Sequence, residues 1–286
     1  MKKTIRYFLT IALLVSSASV LFAGGAKEVS APTTRKDIRI GISPGPYGDM
    51  ITQAIAPYLE KNGYTVSVVQ FSDYVQPDLA LNNGEIEANL MQHTVYLNQF
   101  SKDNNLSLSP VIVVPTAGAG VFSSRYTSLD QLKNGDQVAI PSDATNLARA
   151  LGILARYGLI TVKPDVEATK ISLLDIASNP KNLQFKPLDA AQISRSLDSV
   201  AIGVVPGNFA IAAGMDFSKA LAIEKLAENY KNVVVVRTVD LNAQLGQDLK
   251  AAVESPEFYD AITKEGSQFG SFDRPQWWVD TYGEGK

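Results

Sequence analysis

The chain has 286 residues, no cysteine, a single histidine and a formal net charge of −3. Without cysteine it forms no disulfide and uses no thiolate, and one imidazole is few for a hydrolase or metalloenzyme that works at neutral pH. A mildly acidic chain is also a poor nucleic-acid binder. The sequence carries no phosphate loop, dinucleotide fingerprint, zinc motif or calcium motif, so we expect no cofactor and no metal. Composition therefore favours a binding protein over an enzyme.

The N-terminal segment has the three regions of a secretory signal peptide. Basic residues lie within the first six positions, an apolar stretch follows over 7–20, and a small residue stands at Ala23. The alternative, an uncleaved membrane anchor, is disfavoured because serines interrupt a short apolar run. Cleavage removes three basic residues and no acidic one, which takes the formal net charge from −3 to −6. We predict a signal peptide at 1–23, a flexible tether at 24–36, and a periplasmic protein that has no cysteine for a lipid anchor.

Strand-like and helix-like segments alternate in chain order after the tether. Strands are predicted at 38–42, 65–69, 86–90, 111–114, 137–140, 200–205 and 233–237. Helices are predicted at 49–62, 77–82, 94–103, 146–157, 190–197 and 208–213, with a turn-helix at 128–132 and two helices at the C-terminus. This alternation predicts an α/β protein with parallel or mixed sheets covered by helices.

Two segments indicate a division into two lobes. The glycine-rich stretch around Gly118 can carry the chain out of one lobe, and the strand at 233–237 can carry it back. We predict that 37–118 together with 239–286 form lobe 1 and that 119–238 form lobe 2. About 250 residues remain after the signal and tether, which is enough for two modest domains.

The segment from Asp143 to Arg149 is a candidate anion site, because it follows a predicted strand and opens a predicted helix. Asn146 and Arg149 are three positions apart and share one face of that helix, so an amide and a guanidinium can hold the same carboxylate. In the alternative interpretation, Asp143 or Thr145 only caps the helix, and Arg149 lies in solvent or in a structural ion pair.

Aromatic and sulfur-containing side chains follow two predicted strands, at 71–74 and at 91–96. Tyr74, Met91, His93 and Tyr96 could wall an apolar pocket, since thioethers and aromatic edges attract each other by dispersion. The alternative is ordinary core packing, in which His93 is a buried, hydrogen-bonded residue.

Gly41-Ile42-Ser43-Pro44-Gly45 matches the G-x-S-x-G nucleophile elbow of serine hydrolases in form only. In that motif the residue after the serine donates its backbone N–H to the oxyanion, and Pro44 has none to donate. We therefore interpret the segment as a tight turn that leads into a helix.

Several dense stretches resemble the NlpA-type substrate-binding proteins of ABC importers over nearly the whole mature length. They are 69–77, 81–89 with Gln92-His93 and Tyr96-Leu97, 139–151, 158–160 and 179–183. The resemblance implies a two-lobed periplasmic-binding-protein fold that closes on a free amino acid in the interlobe cleft. It also implies delivery to an ABC permease and its ATPase. We expect a monomer without enzymatic activity.

The resemblance further implies roles for single residues. The position matching Arg149 holds the ligand carboxylate, the one matching Asn146 assists, and those matching Tyr74, His93 and Tyr96 surround the side chain. The chain departs from the family pattern at Met91, where phenylalanine is usual, at Tyr47, where histidine is usual, and at Pro206, where an asparagine is expected. Asn208 is included among the site residues as a possible substitute for that asparagine, and the family's lipid-bearing cysteine is missing.

The leading functional hypothesis is a binding component for methionine or a closely related apolar amino acid that works by hinge closure. Since Met91 and Pro206 change the pocket, the same clamp could instead take a dipeptide, a methionine derivative or another carboxylate. A serine hydrolase that uses Ser43 with His93 is a remote alternative. A fourth alternative is a surface protein that binds partner macromolecules, for which the sequence has no feature of its own.

Overall fold

A computed structural model describes residues 36–283, so the predicted signal peptide and nearly all of the predicted tether lie outside the described residues. Twelve strands are present in this part of the chain. They are β1 (Asp37–Ile42), β2 (Thr65–Gln70), β3 (Ala88–His93), β4 (Leu108–Val113), β5 (Gly120–Phe122), β6 (Gln137–Pro141), β7 (Thr161–Val162), β8 (Ile176–Ser178), β9 (Gln184–Leu188), β10 (Ile202–Val205), β11 (Ala222–Ile223) and β12 (Asn232–Arg237).

Ten of these strands form two five-stranded mixed sheets, one in each lobe. The first has the order β2-β1-β3-β12-β4 and the second the order β11-β5-β10-β6-β9. In the first sheet β1, β2 and β3 are parallel, and β12 runs antiparallel between β3 and β4. In the second sheet β6 is parallel to β9 and β10, while β5 is antiparallel to β10 and β11. The predicted α/β fold class with mixed sheets is confirmed.

Helices cover both sheets. They are α1 (Tyr47–Met50), α2 (Ala56–Lys61), α3 (Val75–Asn82), α4 (Thr94–Asn104), α5 (Ala144–Arg156), α6 (Ala190–Ser196), α7 (Gly207–Ala212), α8 (Gln244–Val253), α9 (Pro256–Thr263) and α10 (Gln276–Tyr282). A π-helical turn, Ile51–Ile55, joins α1 to α2. Each lobe has its own apolar core: Met50, Phe258 and Trp278 are buried against the first sheet, and Ile140 and Leu151 are buried in the second. Within residues 36–283 no helix is long and apolar enough to cross a membrane.

Most predicted elements coincide with observed ones to within a few residues. The structure adds a third C-terminal helix and several short strands, among them β5, β9 and β11. The predicted strand at 86–90 lies two residues too early, because Glu87 is drawn into hydrogen bonds with the backbone and guanidinium of Arg39 and pairing as β3 starts at Ala88.

The chain crosses between the lobes twice, after β4 and before β12. The two crossings are hydrogen-bonded to each other: Val114 N–H donates to the Asn232 carbonyl at 2.8 Å, and Asn232 N–H donates to Thr116 Oγ1 at 2.8 Å. A bridge between Thr116 and Asp273 adds the C-terminal segment to this hinge. The predicted lobe limits stay a prediction, but β12 pairs within the first sheet, so the return crossing precedes Asn232 rather than residue 239.

Candidate ligand-binding site

A small cavity lies between the lobes, where strands of both sheets end. All seven residues predicted for the site line this cavity: Tyr74, Met91, His93, Tyr96, Asn146, Arg149 and Asn208. Its volume is about 20 Å³, on the scale of one ordered water molecule. Six further residues complete the lining: Tyr47, Gln92, Thr116, Ala117, Gly207 and Asn232. The predicted residues are thus brought together, and their roles toward a ligand stay a prediction.

The guanidinium of Arg149 reaches the cavity from α5 and is paired with Glu224. Nε donates to Oε1 at 2.8 Å and Nη2 donates to Oε2 at 2.6 Å, with only 8% and 7% of the two side chains exposed. Burial opposes the charge, but Glu224 more than offsets this, and the pKa of Arg149 is raised above its usual value. A guanidinium has five N–H donors. Nη1 also donates to Asn146 Oδ1 at 3.5 Å, so one N–H of Nη1 is left for an anion. Arg149 therefore belongs both to an ion pair and to the cavity.

The amide of Asn146 is held by Asp143 and His93, and its Oδ1 also accepts from Arg149 Nη1 at 3.5 Å. Its Nδ2 donates to both carboxylate oxygens of Asp143, at 3.1 and 3.2 Å, and its Oδ1 lies 3.0 Å from His93 Nε2. Asp143 also caps α5 by accepting from the Asn146 backbone N–H at 2.9 Å. The capping role considered for Asp143 is therefore present, and it orients the Asn146 amide away from a direct grip on a carboxylate.

Replacement of Asp143 with alanine is expected to lower the free energy of unfolding by about 1 kcal/mol, because the first turn of α5 loses its cap. Urea unfolding measures this change. Asp143→Asn retains a capping oxygen and serves as the control, with a loss of a few tenths of a kcal/mol expected. Equal losses in the two variants would contradict the capping role.

His93 is a neutral imidazole that connects the two lobes. Its Nδ1 accepts from the Tyr96 backbone N–H at 3.1 Å, so the ring proton is on Nε2, which donates to Asn146 Oδ1. Burial, together with the charge of Arg149, lowers the pKa of His93 to about 3. The bond to Asn146 joins the end of β3 to the start of α5, and hence one lobe to the other.

Aromatic rings lie in and around the cavity, and one of them lies beside Arg149. The ring centroids of Tyr74 lie 5.8 Å from those of Tyr96 and 5.1 Å from those of Phe209. The Tyr230 ring lies 4.9 Å from that of His93 and 5.2 Å from the Arg149 guanidinium carbon. Met91 is buried and adds a polarisable thioether to the lining. Aromatic rings and a thioether together suit an apolar ligand side chain that contains a polarisable atom such as sulfur.

A buried carboxyl group supports the cavity lining from behind β3. Asp78, on α3, accepts hydrogen bonds through Oδ1 from Asn89 Nδ2 at 2.8 Å and from Gln92 Nε2. Its Oδ2 and the Gln92 Oε1 make no hydrogen bond with another described residue. Burial raises the pKa of Asp78 to about 7, because the two amide donors offset the desolvation only in part. When Asp78 is ionised, its Oδ2 and Gln92 Oε1 are two acceptors without a donor. When Asp78 is protonated, its carboxyl group supplies one donor at this place.

Sequence reasoning missed Glu224, Tyr230 and Asn232. Glu224 follows the two-residue strand β11, where no periodic pattern marks it, and Tyr230 lies in a short 3₁₀ helix. The side-chain amide of Asn232 lines the cavity and makes no hydrogen bond with another described residue. In the sequence, only one feature points to Asn232: it directly precedes the strand predicted at 233–237, which returns the chain to the first lobe. Among residues 36–283, no cluster of three or more His, Asp or Glu side chains could hold a metal ion.

The two mixed sheets and the cavity between them define a two-lobed α/β binding-protein fold. The model of the NlpA lipoprotein family matches residues 38–276, and the chain belongs to this family. A relative named probable D-methionine-binding lipoprotein MetQ, from Vibrio cholerae, is 34% identical over 268 residues, which cover 92% of this chain and 96% of the relative. The family and the fold class predicted from the sequence are thereby confirmed.

A solved structure supports the same assignment. The structure of a nutrient binding protein from Burkholderia cenocepacia, bound to methionine, has a TM-score of 0.76 and 34% sequence identity. The similarity covers 81% of this chain and 98% of that one. These relatives are binding proteins by name, in agreement with a site that is lined by hydrogen-bonded and aromatic groups.

The predicted location was wrong in one respect. A periplasmic protein without a lipid anchor was expected because the chain has no cysteine. The matching family is described as NlpA lipoprotein, and the relatives are named lipoproteins, one of them outer membrane lipoprotein 3 from Mannheimia haemolytica, at 32% identity over 232 residues, or 80% of this chain and 87% of the relative. The absence of cysteine was not sufficient evidence for the location of the protein. We therefore withdraw the expectation that it has no lipid anchor.

Proposed function

We propose that the protein binds free methionine, or a closely related apolar amino acid, as the substrate-binding component of an ABC importer. The observation that carries the proposal is the buried Arg149, which keeps one N–H of Nη1 free in a cavity that is also lined by tyrosines and by Met91. One end of such a site suits a carboxylate and the other an uncharged side chain. The names of the family relatives support methionine as the ligand.

Each end of the ligand has a partner in this proposal. The carboxylate accepts from Nη1 of Arg149, a charge-assisted bond in a water-poor site. The ammonium donates to the Asn232 side-chain oxygen, which no other described residue engages. The thioether packs against Met91, Tyr74 and Tyr96, where burial of a methionine-sized side chain contributes about 1.5–3 kcal/mol.

Hinge closure is part of this proposal. The cavity is lined by residues from both lobes and most of them are buried, so the lobes would separate for ligand entry and return around the ligand. The ligand then shifts the population toward the form it contacts from both lobes. In the proposed role the closed protein acts as a monomer and delivers its cargo to a membrane permease with an associated ATPase.

The proposal includes no enzymatic activity. Ser43 is fully buried and His93 hydrogen-bonds to Tyr96 and Asn146, so neither is arranged as a nucleophile and its base. A general base works best with a pKa near the operating pH, whereas that of His93 is lowered to about 3.

Calorimetry on protein stripped of ligand by unfolding and refolding tests the proposal. We expect heat of binding with methionine and none with methionine methyl ester, because the ester lacks the carboxylate that Arg149 holds. Mass spectrometry of the ligand carried through purification tests the alternative cargo, and a dipeptide or a methionine derivative there would replace methionine. No binding of any amino acid would contradict the proposal.

A further inference from the structure

The side chain of Asn208 is engaged by the opposite lobe. Asn208 lies in α7 of the second lobe and is 6% exposed. Its Oδ1 accepts from the Tyr74 hydroxyl at 2.7 Å, and its Nδ2 donates to the Pro44 carbonyl at 2.9 Å. Both partners belong to the first lobe, where Pro44 follows β1 and Tyr74 precedes α3. One amide thus joins two separate segments of the facing lobe.

The backbone around Asn208 is shaped for this contact. Gly45 has a φ of +139°, and a Cβ added there would lie 2.7 Å from the Asn208 Cβ. A Cβ on Gly207 would lie 2.4 Å from the Ala117 carbonyl oxygen. Both glycines therefore permit a close approach that a larger residue would prevent. The Phe209 ring packs against Tyr74, with its centroid 5.1 Å from that of Tyr74.

The two bonds need the chemistry of an amide. The Tyr74 hydroxyl requires an acceptor and the Pro44 carbonyl requires a donor, and a single planar amide supplies both. With these groups engaged, Oδ1 and one N–H of Asn208 are already used, which leaves little for a ligand. Asn208 thus differs from Asn232 and Arg149, which keep polar atoms for the cavity.

We propose that Asn208 is an interlobe latch, a positioning residue that stabilises the closed arrangement and slows ligand release without holding the ligand itself. The proposal rests on hinge closure as part of the proposed function. Breaking the latch removes hydrogen bonds that exist only when the lobes meet, so the closed population decreases and dissociation accelerates, while association changes little.

The distance between the lobes in ligand-free protein tests the latch directly. Because the chain has no cysteine, Glu60→Cys and Lys186→Cys, at exposed positions in the first and second lobes, introduce a unique pair of spin-label sites. Electron–electron resonance then gives the distance distribution with no ligand added. We expect Asn208→Ala and Tyr74→Phe each to shift the distribution toward longer distances, and Asn242→Ala, at an exposed asparagine, to leave it unchanged. Tyr74→Phe removes only a hydroxyl, which guards against a folding defect.

Ligand kinetics provide the second measurement. We expect Asn208→Ala to raise the methionine dissociation rate about tenfold, and addition of Tyr74→Phe to the same chain to add little, because both remove the same bond. Unchanged distances in Asn208→Ala would overturn the latch, including the case in which methionine affinity falls, since Asn208 would then be a ligand contact. If the unmodified protein bound no amino acid, the proposed function would fail, while the distances would still support or overturn the latch.

Discussion

Replacement of Arg149 with methionine is expected to abolish amino-acid binding and to lower the free energy of unfolding by about 3–5 kcal/mol. The loss of stability arises because Glu224 would remain buried without its partner, and an uncompensated buried charge is costly. The pair is almost fully buried and bidentate, which is the geometry in which removal of one partner has its largest effect. Calorimetry measures the loss of binding and urea unfolding measures the loss of stability.

The double variant Arg149→Met with Glu224→Gln separates the two roles of the arginine. Removal of both charges is expected to recover most of the stability, because no unpaired charge remains, and to leave binding lost. Arg39 and Glu87 provide a matched control outside the cavity. The Glu87 side chain is 4% exposed, so Arg39→Met also leaves a buried carboxylate without its ion pair and is expected to lower the stability, but to leave binding intact. If the double variant bound methionine as tightly as the unmodified protein, Arg149 would have no role in carboxylate recognition.

Asp78 and His93 are expected to give the stability opposite dependences on pH. The pKa of His93 falls from 6.5 to about 3 on folding, so the unfolded state takes up a proton first and stability is lost as the pH falls from 6.5 toward 3. The pKa of Asp78 rises from 3.8 to about 7, so the unfolded state releases its proton first and stability is lost as the pH rises from 3.8 toward 7. Each contribution is on the order of several kcal/mol and the two largely offset each other between pH 4 and 6.5.

Single variants reveal each contribution. Asp78→Asn retains the shape of the protonated carboxyl, and its amide has a donor for Gln92 Oε1, so we expect higher stability at pH 7 and a profile that declines with acidification. His93→Asn retains a cap for α4 and is expected to give a profile that declines as the pH rises. Urea unfolding from pH 4 to 7.5 gives both profiles. If the difference between Asp78→Asn and the unmodified protein did not vary with pH, Asp78 would not be protonated in the folded state.

The sequence predicted which residues line the cavity more completely than it predicted their contacts with one another. Local pattern in the segments 71–74, 91–96 and 143–149 indicated six of the cavity residues, because it places polar and aromatic groups at strand ends that the fold brings together. The seventh, Asn208, came from the family resemblance. The spacing of Asn146 and Arg149 fixed their shared helix face correctly. It could not reveal that Asp143 and His93 would hold the Asn146 amide, because those bonds depend on the capped turn and on a residue 53 positions away.

Most of the contacts that the sequence did not predict join residues that are far apart in the chain. Glu224 is 75 residues from Arg149 and Asn208 is 134 residues from Tyr74, so no local periodicity links them. Short strands such as β11 and β5 gain their pairing from the sheet around them, and their own residues carry too few alternations to be recognised. The alternation of strands and helices along the chain was enough to predict the sheets. The contacts between the two lobes could be identified only from the three-dimensional structure.

The placement of Asn232 has a consequence for the timing of release. Its backbone N–H and carbonyl tie the two crossings together, while its side chain lines the cavity. Any rotation that parts the lobes must change torsion angles in these same crossings. In the proposed binding mode, a ligand ammonium on the Asn232 side chain would restrain these crossings, and release of the ligand would require them to move. The dissociation rate would then depend on the backbone flexibility of these crossings as well as on the contacts between the protein and the ligand.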